Sequence, residues 1–232
     1  MKEKVLLITH SEDNECIDNV TLALAKQGAS TVRFDTDRYP TEVGLTTDYS
    51  NLSLNNYLQL GDQRVDLSGI TACWYRRLRV GKNIPQDLDP QLRKPSIEES
   101  RRSFFGVLHS LDAFVLDPYV HVKRAEVKQL QLKVAVGLGL NIPKTCITNK
   151  AEEVRRFYAQ CPAGVITKMQ TAFAVYRGKE ENVVYTNFLE KEMLDELDGL
   201  ELCPMTFQEA IPKALELRVT IVGDQVFSAA ID

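Results

Sequence analysis

The sequence predicts an α/β fold, and three observations carry that expectation. Strand-like and helix-like segments alternate from the first residues onward, the helical stripes stop at glycine or proline, and no apolar run approaches the roughly 20 residues of a membrane span. Residues 5–9 (VLLIT) read as a short buried strand. Ile17, Val20 and Leu24 recur at helical spacing over residues 17–26 before Gly28 ends them, and residues 31–37 form a second strand. Short alternating runs around Leu52, Leu54, Tyr57, Leu58 and Leu60, with Gly61-Asp62 as a turn, predict a meander over residues 41–67. Residues 70–78 are strand-like, and residues 81–95 are rich in helix breakers. Ser96 followed by Glu99 is a capping-box pattern that opens a helix to Leu111, and residues 114–116 close the unit as a strand.

The grammar then repeats. Val127, Leu130, Val134 and Leu138 make a helical stripe that ends at the glycines before Pro143. A strand at 145–148, a helix opened by Asn149 with Glu152 at the box position, and a strand at 165–169 follow. Residues 173–176 and 183–186 flank RGKEEN as a hairpin, and residues 190–197 are a short acidic helix with Met193, Leu194 and Leu197 on one side. Strands at 205–209, 217–222 and 225–230 complete the pattern, the last two joined by Gly223-Asp224. The sequence given ends at Asp232 directly after a strand, which points to further sequence or to a partner surface.

Composition narrows the function. A chain of 232 residues with 28 basic and 32 acidic residues carries a net charge of -4, which disfavours a general nucleic-acid surface. The N-terminal apolar stretch is short and runs into acids rather than a small-residue cleavage site, so it reads as a strand and the protein is expected in the cytoplasm. The five cysteines (Cys16, Cys73, Cys146, Cys161, Cys203) contain no C-x-x-C pair, and the three histidines have no H-x-x-x-H spacing. Reduced, mostly buried thiols are expected, and a zinc cage is not. The first turn, THSEDNE, lacks G-x-G-x-x-G even though Asp35 sits at the end of the second strand. The chain also has no P-loop and no G-x-S-x-G elbow.

What remains is an ordered set of charges. Lys128 lies early in a helix, where a lysine is usually solvated. Lys168 interrupts the apolar strand VITKM, where an ammonium either reaches out from an edge or meets an anion. Two such point charges from different elements suit the phosphates of a nucleotide. Glu209 ends a strand before the break at Pro212, so the backbone of Ala210 and Ile211 is expected to be free to bond a base edge. Glu216 opens the next strand, placed to accept from ribose hydroxyls.

The sequence of Lys128, G-x-x-I-P-x-T, Lys168, Q-E-x-I and E-x-R-V-x-I-V-G resembles the nucleotide half of the ATP-grasp ligases. With RFDTDRYPTEV at 33–43, CWYRRLR at 73–79 and CPMTFQEAIPKALELRVTIVGDQVFSAAI at 203–231, the whole chain is similar to the macrocyclases of microviridin-type ribosomal peptides (graspetides). The resemblance implies an ATP-grasp fold with a pre-ATP-grasp α/β domain at 1–120, a small lid domain at 121–204 and the start of the large grasp domain at 205–232. It implies phosphates on Lys128 and Lys168, adenine on Glu209, Ala210 and Ile211, and ribose on Glu216. Arg218, on the same strand face as Glu216, is the candidate for offsetting charge on the reacting oxygens. Mg2+ would be held by a later acid and a Glu-x-Asn pair, so no metal ligand is expected within these residues.

The implied reaction uses ATP to turn a precursor Asp or Glu carboxylate into an acyl phosphate. A Thr or Ser hydroxyl or a Lys amine of the same peptide then attacks, closing an ester or amide ring. The implied partner is a ribosomal precursor with leader and core. Its leader would dock on the hairpin and on KEMLDELDGL, where Glu192, Asp195 and Glu196 pair with a basic residue and Met193 and Leu194 pack on its apolar side. Arg76, Arg77 and Arg79, near Trp74 and Tyr75, are candidates to meet acidic residues of the peptide, against which stands the alternation along a strand that sends successive arginines to opposite faces. A leader-binding module without turnover and a ligase for a small amino acid or amine are the rival readings. Oligomeric state is left open, with a symmetric homodimer the commonest form.

Overall fold

The computed structural model describes residues 3–171, 174–177 and 180–231. The chain divides into two units, Met1–Lys123 and Arg124–Asp232. In the first, β1 (Lys4–Thr9) is followed by α1 (Asn14–Lys26) and β2 (Ser30–Asp35). An antiparallel meander follows, of β3 (Val43–Tyr49), β4 (Leu54–Leu60) and β5 (Gln63–Asp66). Then come β6 (Ala72–Tyr75), α2 (Pro90–Ser110) and β7 (Phe114–Leu116). A parallel sheet forms in the order β2-β1-β6-β7.

The period of β1 explains how this sheet is covered. Leu6 and Ile8 point into one apolar cluster with Phe34, Cys73, Phe104 and Leu108, which also takes Val43, Leu58 and Val65 from the meander. Val5 and Leu7 point the other way, against Ile17 of α1. Burial on both faces is the reason a parallel strand reads as a continuous apolar run. Cys73 is 1% exposed, and burial pushes its thiol up to about 12.

Two boundaries differ from expectation for local reasons. The helix expected from Ser96 starts earlier, because Asp89 accepts from the Gln91 amide as its cap and Pro90 sits where no amide partner is needed. Ser96 instead donates its hydroxyl to the Leu92 carbonyl at 2.8 Å. The strand expected over 70–78 stops at Tyr75, and Arg77 takes a left-handed backbone at φ 47.

α3 (Tyr119–Ala125) leads into the second unit. It contains α4 (Lys128–Gly137), β8 (Thr145–Thr148), α5 (Ala151–Ala159), β9 (Val165–Lys168), β10 (Ala174–Arg177) and β11 (Glu180–Val183). After these come β12 (Asn187–Phe188), β13 (Met205–Glu209), β14 (Glu216–Val222) and β15 (Gln225–Ile231). An antiparallel sheet runs β12-β9-β13-β8, and its core gathers Val154, Cys161, Val165, Leu189, Leu200 and Phe207. β14 and β15 pair as a separate ribbon.

α5 opens without the expected box. The Asn149 side chain donates to the Glu201 carbonyl, and the Lys150 amide is taken by the Thr148 hydroxyl. The expected hairpin strands lie at 174–177 and 180–183, with Arg177 opposite Glu180. Phe173, Gly178 and Lys179 lie outside the described residues. The expected acidic helix is a short 3-10 segment, Lys191–Asp195. Among the described residues no helix is long and apolar enough to cross a membrane.

Candidate functional site

The nucleotide candidates gather on the antiparallel sheet. Lys168 ends β9 opposite Thr206 of β13, and its half-buried ammonium donates to the Gln208 side-chain oxygen at 2.9 Å. Gln208 donates in turn to the Thr145 hydroxyl at 2.8 Å, and Thr145 to the Pro143 carbonyl at 2.9 Å. This relay fixes the amide orientation, since the lysine needs an acceptor and the hydroxyl is already committed as a donor. Lys128 is the first residue of α4, exposed, with its ammonium 3.3 Å from the Gln131 oxygen. Gln129 beside it bonds Gln170, just past β9, at 3.3 Å.

Burial, and then the Lys128 charge, lower the Lys168 pKa from its ordinary value. Both partners of these lysines are neutral amides, and neither lysine forms an ion pair among the described residues. Two ammonium groups with no acid as partner are an arrangement suited to an anion.

Glu209 closes β13, with its amide on the Lys144 carbonyl at 2.9 Å. The expectation that the next backbone groups are all free is corrected here. Ala210 is buried and its amide donates to the Gly164 carbonyl at 3.0 Å, which leaves the exposed Ile211 amide as the one without a partner among the described residues. On the ribbon, Glu216 and Arg218 share a face, both exposed, and Glu216 pairs with Lys213. The bond from Lys213, its charge and the Arg218 charge hold the Glu216 carboxyl below its usual range. No hydrogen bond or ion pair joins the ribbon to the two lysines among the described residues.

Glu192, Met193, Asp195 and Glu196 are exposed on or beside the 3-10 segment. Leu194 is not available beside Met193 as expected. It turns inward with Leu197 onto the unit's core, and Arg155 clamps its carbonyl at 2.9 Å.

The arginines of CWYRRLR do not alternate across a strand, because β6 has already ended. Arg76 and Arg77 both reach Asp13, at 3.0 and 3.4 Å, and Arg79 and Lys82 both reach Glu12. Burial raises the Asp13 pKa, but the Thr9 hydroxyl at 2.7 Å and the Arg76 and Arg77 charges outweigh it and hold the carboxyl below its usual range. Arg76 also lies over the Trp74 ring.

Gln208 and Thr145 escaped sequence reasoning. The available signal was alternation in MTFQE, where Phe207 takes the core and Thr206 and Gln208 share the other direction. Among the described residues, no group of three or more His, Cys, Asp or Glu is placed to hold a metal ion.

The profile of the family described as the MvdD pre-ATP grasp domain matches residues 4–123. The structure is similar to macrocyclase MdnC bound with precursor peptide MdnA from Microcystis aeruginosa MRC, at 48% identity and TM-score 0.94, over 99% of this chain and 75% of that one. It is also similar to a Chryseobacterium gregarium RiPP-associated ATP-grasp ligase in complex with ADP and a leader and core peptide. There the identity is 40% and the TM-score 0.92, over 99% and 69% of the two chains. Macrocyclase MdnB from Microcystis aeruginosa MRC matches at 36% identity and TM-score 0.85, over 99% and 75%. No curated protein matches the chain.

Proposed function

Because the chain belongs to the RiPP-associated ATP-grasp ligases, the family of the MdnC and MdnB macrocyclases, we propose that its two lysines and the end of β13 form the site that drives ring closure in a precursor peptide. The protein is an ATP-dependent carboxylate ligase of the microviridin type. The observation that carries the site is the pair of ammonium groups, exposed Lys128 and half-buried Lys168, which have only neutral amides as partners.

In this reading Lys168 and Lys128 bind and orient the phosphates from a strand end and a helix start. Gln208 keeps the Lys168 ammonium pointed at them. The adenine edge meets Glu209, the Ala210 carbonyl and the Ile211 amide, since the Ala210 amide is already bonded. Glu216 takes the ribose hydroxyls after releasing Lys213, and Arg218 beside it offsets charge on the reacting oxygens. ATP, as co-substrate, passes its terminal phosphoryl group to a precursor Asp or Glu carboxylate, giving an acyl phosphate and ADP. A Thr or Ser hydroxyl or a Lys amine of the same peptide then attacks the acyl carbon, losing its proton as inorganic phosphate leaves. Holding both reacting side chains of the peptide in one cleft makes that attack effectively unimolecular, an advantage of several kcal/mol.

The leader is placed against Glu192, Asp195 and Glu196, with Met193 as the apolar contact. The lid is placed at 121–204 and the start of the grasp domain at 205–232. Mg2+ belongs to this reading as the partner of the phosphates, although the described residues supply no cluster to hold it, and no step here is routed through it. ATP and a fresh ribosomal product meet in the cytoplasm, where we place the reaction, and a homodimer is the assembly to be checked by light scattering.

Calorimetric titration with a nonhydrolysable ATP analogue tests the site. Heat of binding is expected for the native protein and its loss for Lys168→Met. Equal binding by the variant would remove the phosphates from this place. Mass spectrometry of precursor incubated with ATP is expected to show loss of one water per ring.

A further inference from the structure

At the carboxyl ends of the parallel strands, the chain leaving β1 goes to β2 on one side while the chain leaving β6 goes to β7 on the other. Such a reversal opens a crevice where α/β sheets take ligands. Three observations converge there, and the nucleotide site uses none of them. Arg77 is held at φ 47, a backbone conformation that is uncommon outside glycine and that gathers at functional sites. Its side chain is 62% exposed, with one long contact of 3.4 Å to an Asp13 carboxylate that Arg76 and Thr9 already occupy. Beside it Arg79 and Lys82 share the exposed Glu12. Beneath, His10 is 3% exposed, and both its ring nitrogens lack a hydrogen-bond partner among the described residues.

An arginine held in a strained position, exposed and only loosely paired, is a receptor for a planar anion. A phosphate is disfavoured, because Asp13 just before α1 and Glu15 in its first turn already occupy its positive end. A singly charged carboxylate fits better. Resting on the peptide-ligase reading above, we propose that this crevice is a subsite for an acidic side chain of the peptide substrate. Arg77 meets the carboxylate, and Glu12 is an internal carboxylate that competes with it for Arg79 and Lys82.

The test uses the full chain and two short acetylated, amidated peptides that differ only in one Glu against Gln, titrated alongside the nonhydrolysable nucleotide. The native protein is expected to prefer the Glu peptide by about tenfold or more. Arg77→Gln should erase that preference, and Glu12→Gln should strengthen Glu-peptide binding, a gain that a merely structural ion pair would not give. Arg77→Gly, which suits the left-handed backbone, repeats the test if Arg77→Gln does not fold. Nucleotide binding should be unchanged in all three variants. Equal affinity for the two peptides, no binding of either, or a preference that survives both Arg77 substitutions overturns the subsite. Loss of nucleotide binding by the native protein with the Glu preference intact would instead overturn the Lys128 and Lys168 assignment and leave this one standing.

Discussion

The arginine cluster of the first unit and the lysine pair of the second are held in opposite ways. In the first, Arg33, Arg76, Arg79 and Lys82 each have a carboxylate of the same unit, and Asp13 binds two arginines at once. In the second, Lys128 and Lys168 have only neutral amides. Arginines gathered on a buried acid such as Asp13 report first how a fold is held, whereas a half-buried cation without an acid reports what the fold is prepared to receive.

The largest expected effect comes from removing the unmatched charge. Lys168→Met should cut ring closure by about a hundredfold or more while leaving the melting temperature near that of the native protein, read by product mass and thermal unfolding. Removing the matched charge should do the reverse. Asp13→Ala leaves Arg76 and Arg77 without their acid and should destabilise the first unit by about 3 kcal/mol in urea unfolding, with nucleotide affinity unchanged. Because the Asp13 carboxyl is held below its usual range, its contribution is complete at neutral pH and is lost as pH falls through and below that range.

A third variant converts one kind of cation into the other. Gln208→Glu gives Lys168 an acid, and it should weaken nucleotide binding more than Gln208→Leu, which only unpins the ammonium at a cost of about tenfold. If Gln208→Glu binds nucleotide better, the contrast between the units fails. The smallest effect is a displacement in pH. Nucleotide affinity should fall, as pH rises, at a lower pH than an ordinary lysine would give, and Lys128→Gln should move that fall upward by removing the neighbouring charge.

Much of this was legible in the sequence because it follows from periodicity. The apolar run of β1, the α1 stripe ended by Gly28 and the meander turning at Gly61 are local signals, and each formed. Lys168 was legible because a charge inside VITK contradicts its neighbours. Where competing partners were present, the pattern misled. Asp89-Pro90 outcompeted Ser96, and the Asn149 side chain went to the Glu201 carbonyl instead of capping α5. The role of Gln208 and the pairing of Arg76 depend on residues brought in from distant stretches of chain, Thr145 in one case and Asp13 in the other, and no local window contains them. The Ala210 amide was assigned wrongly for the same reason, since its acceptor is Gly164.

Each unit also carries a thiol shut away in its core, Cys73 in one and Cys161 in the other, both with reactivity suppressed by burial. A thiol that is hardly ever a thiolate reacts with an alkylating reagent only when the surrounding packing opens. Timed labelling followed by peptide mapping would therefore clock the opening of each half of the chain separately, and would show whether nucleotide quiets one clock while leaving the other running.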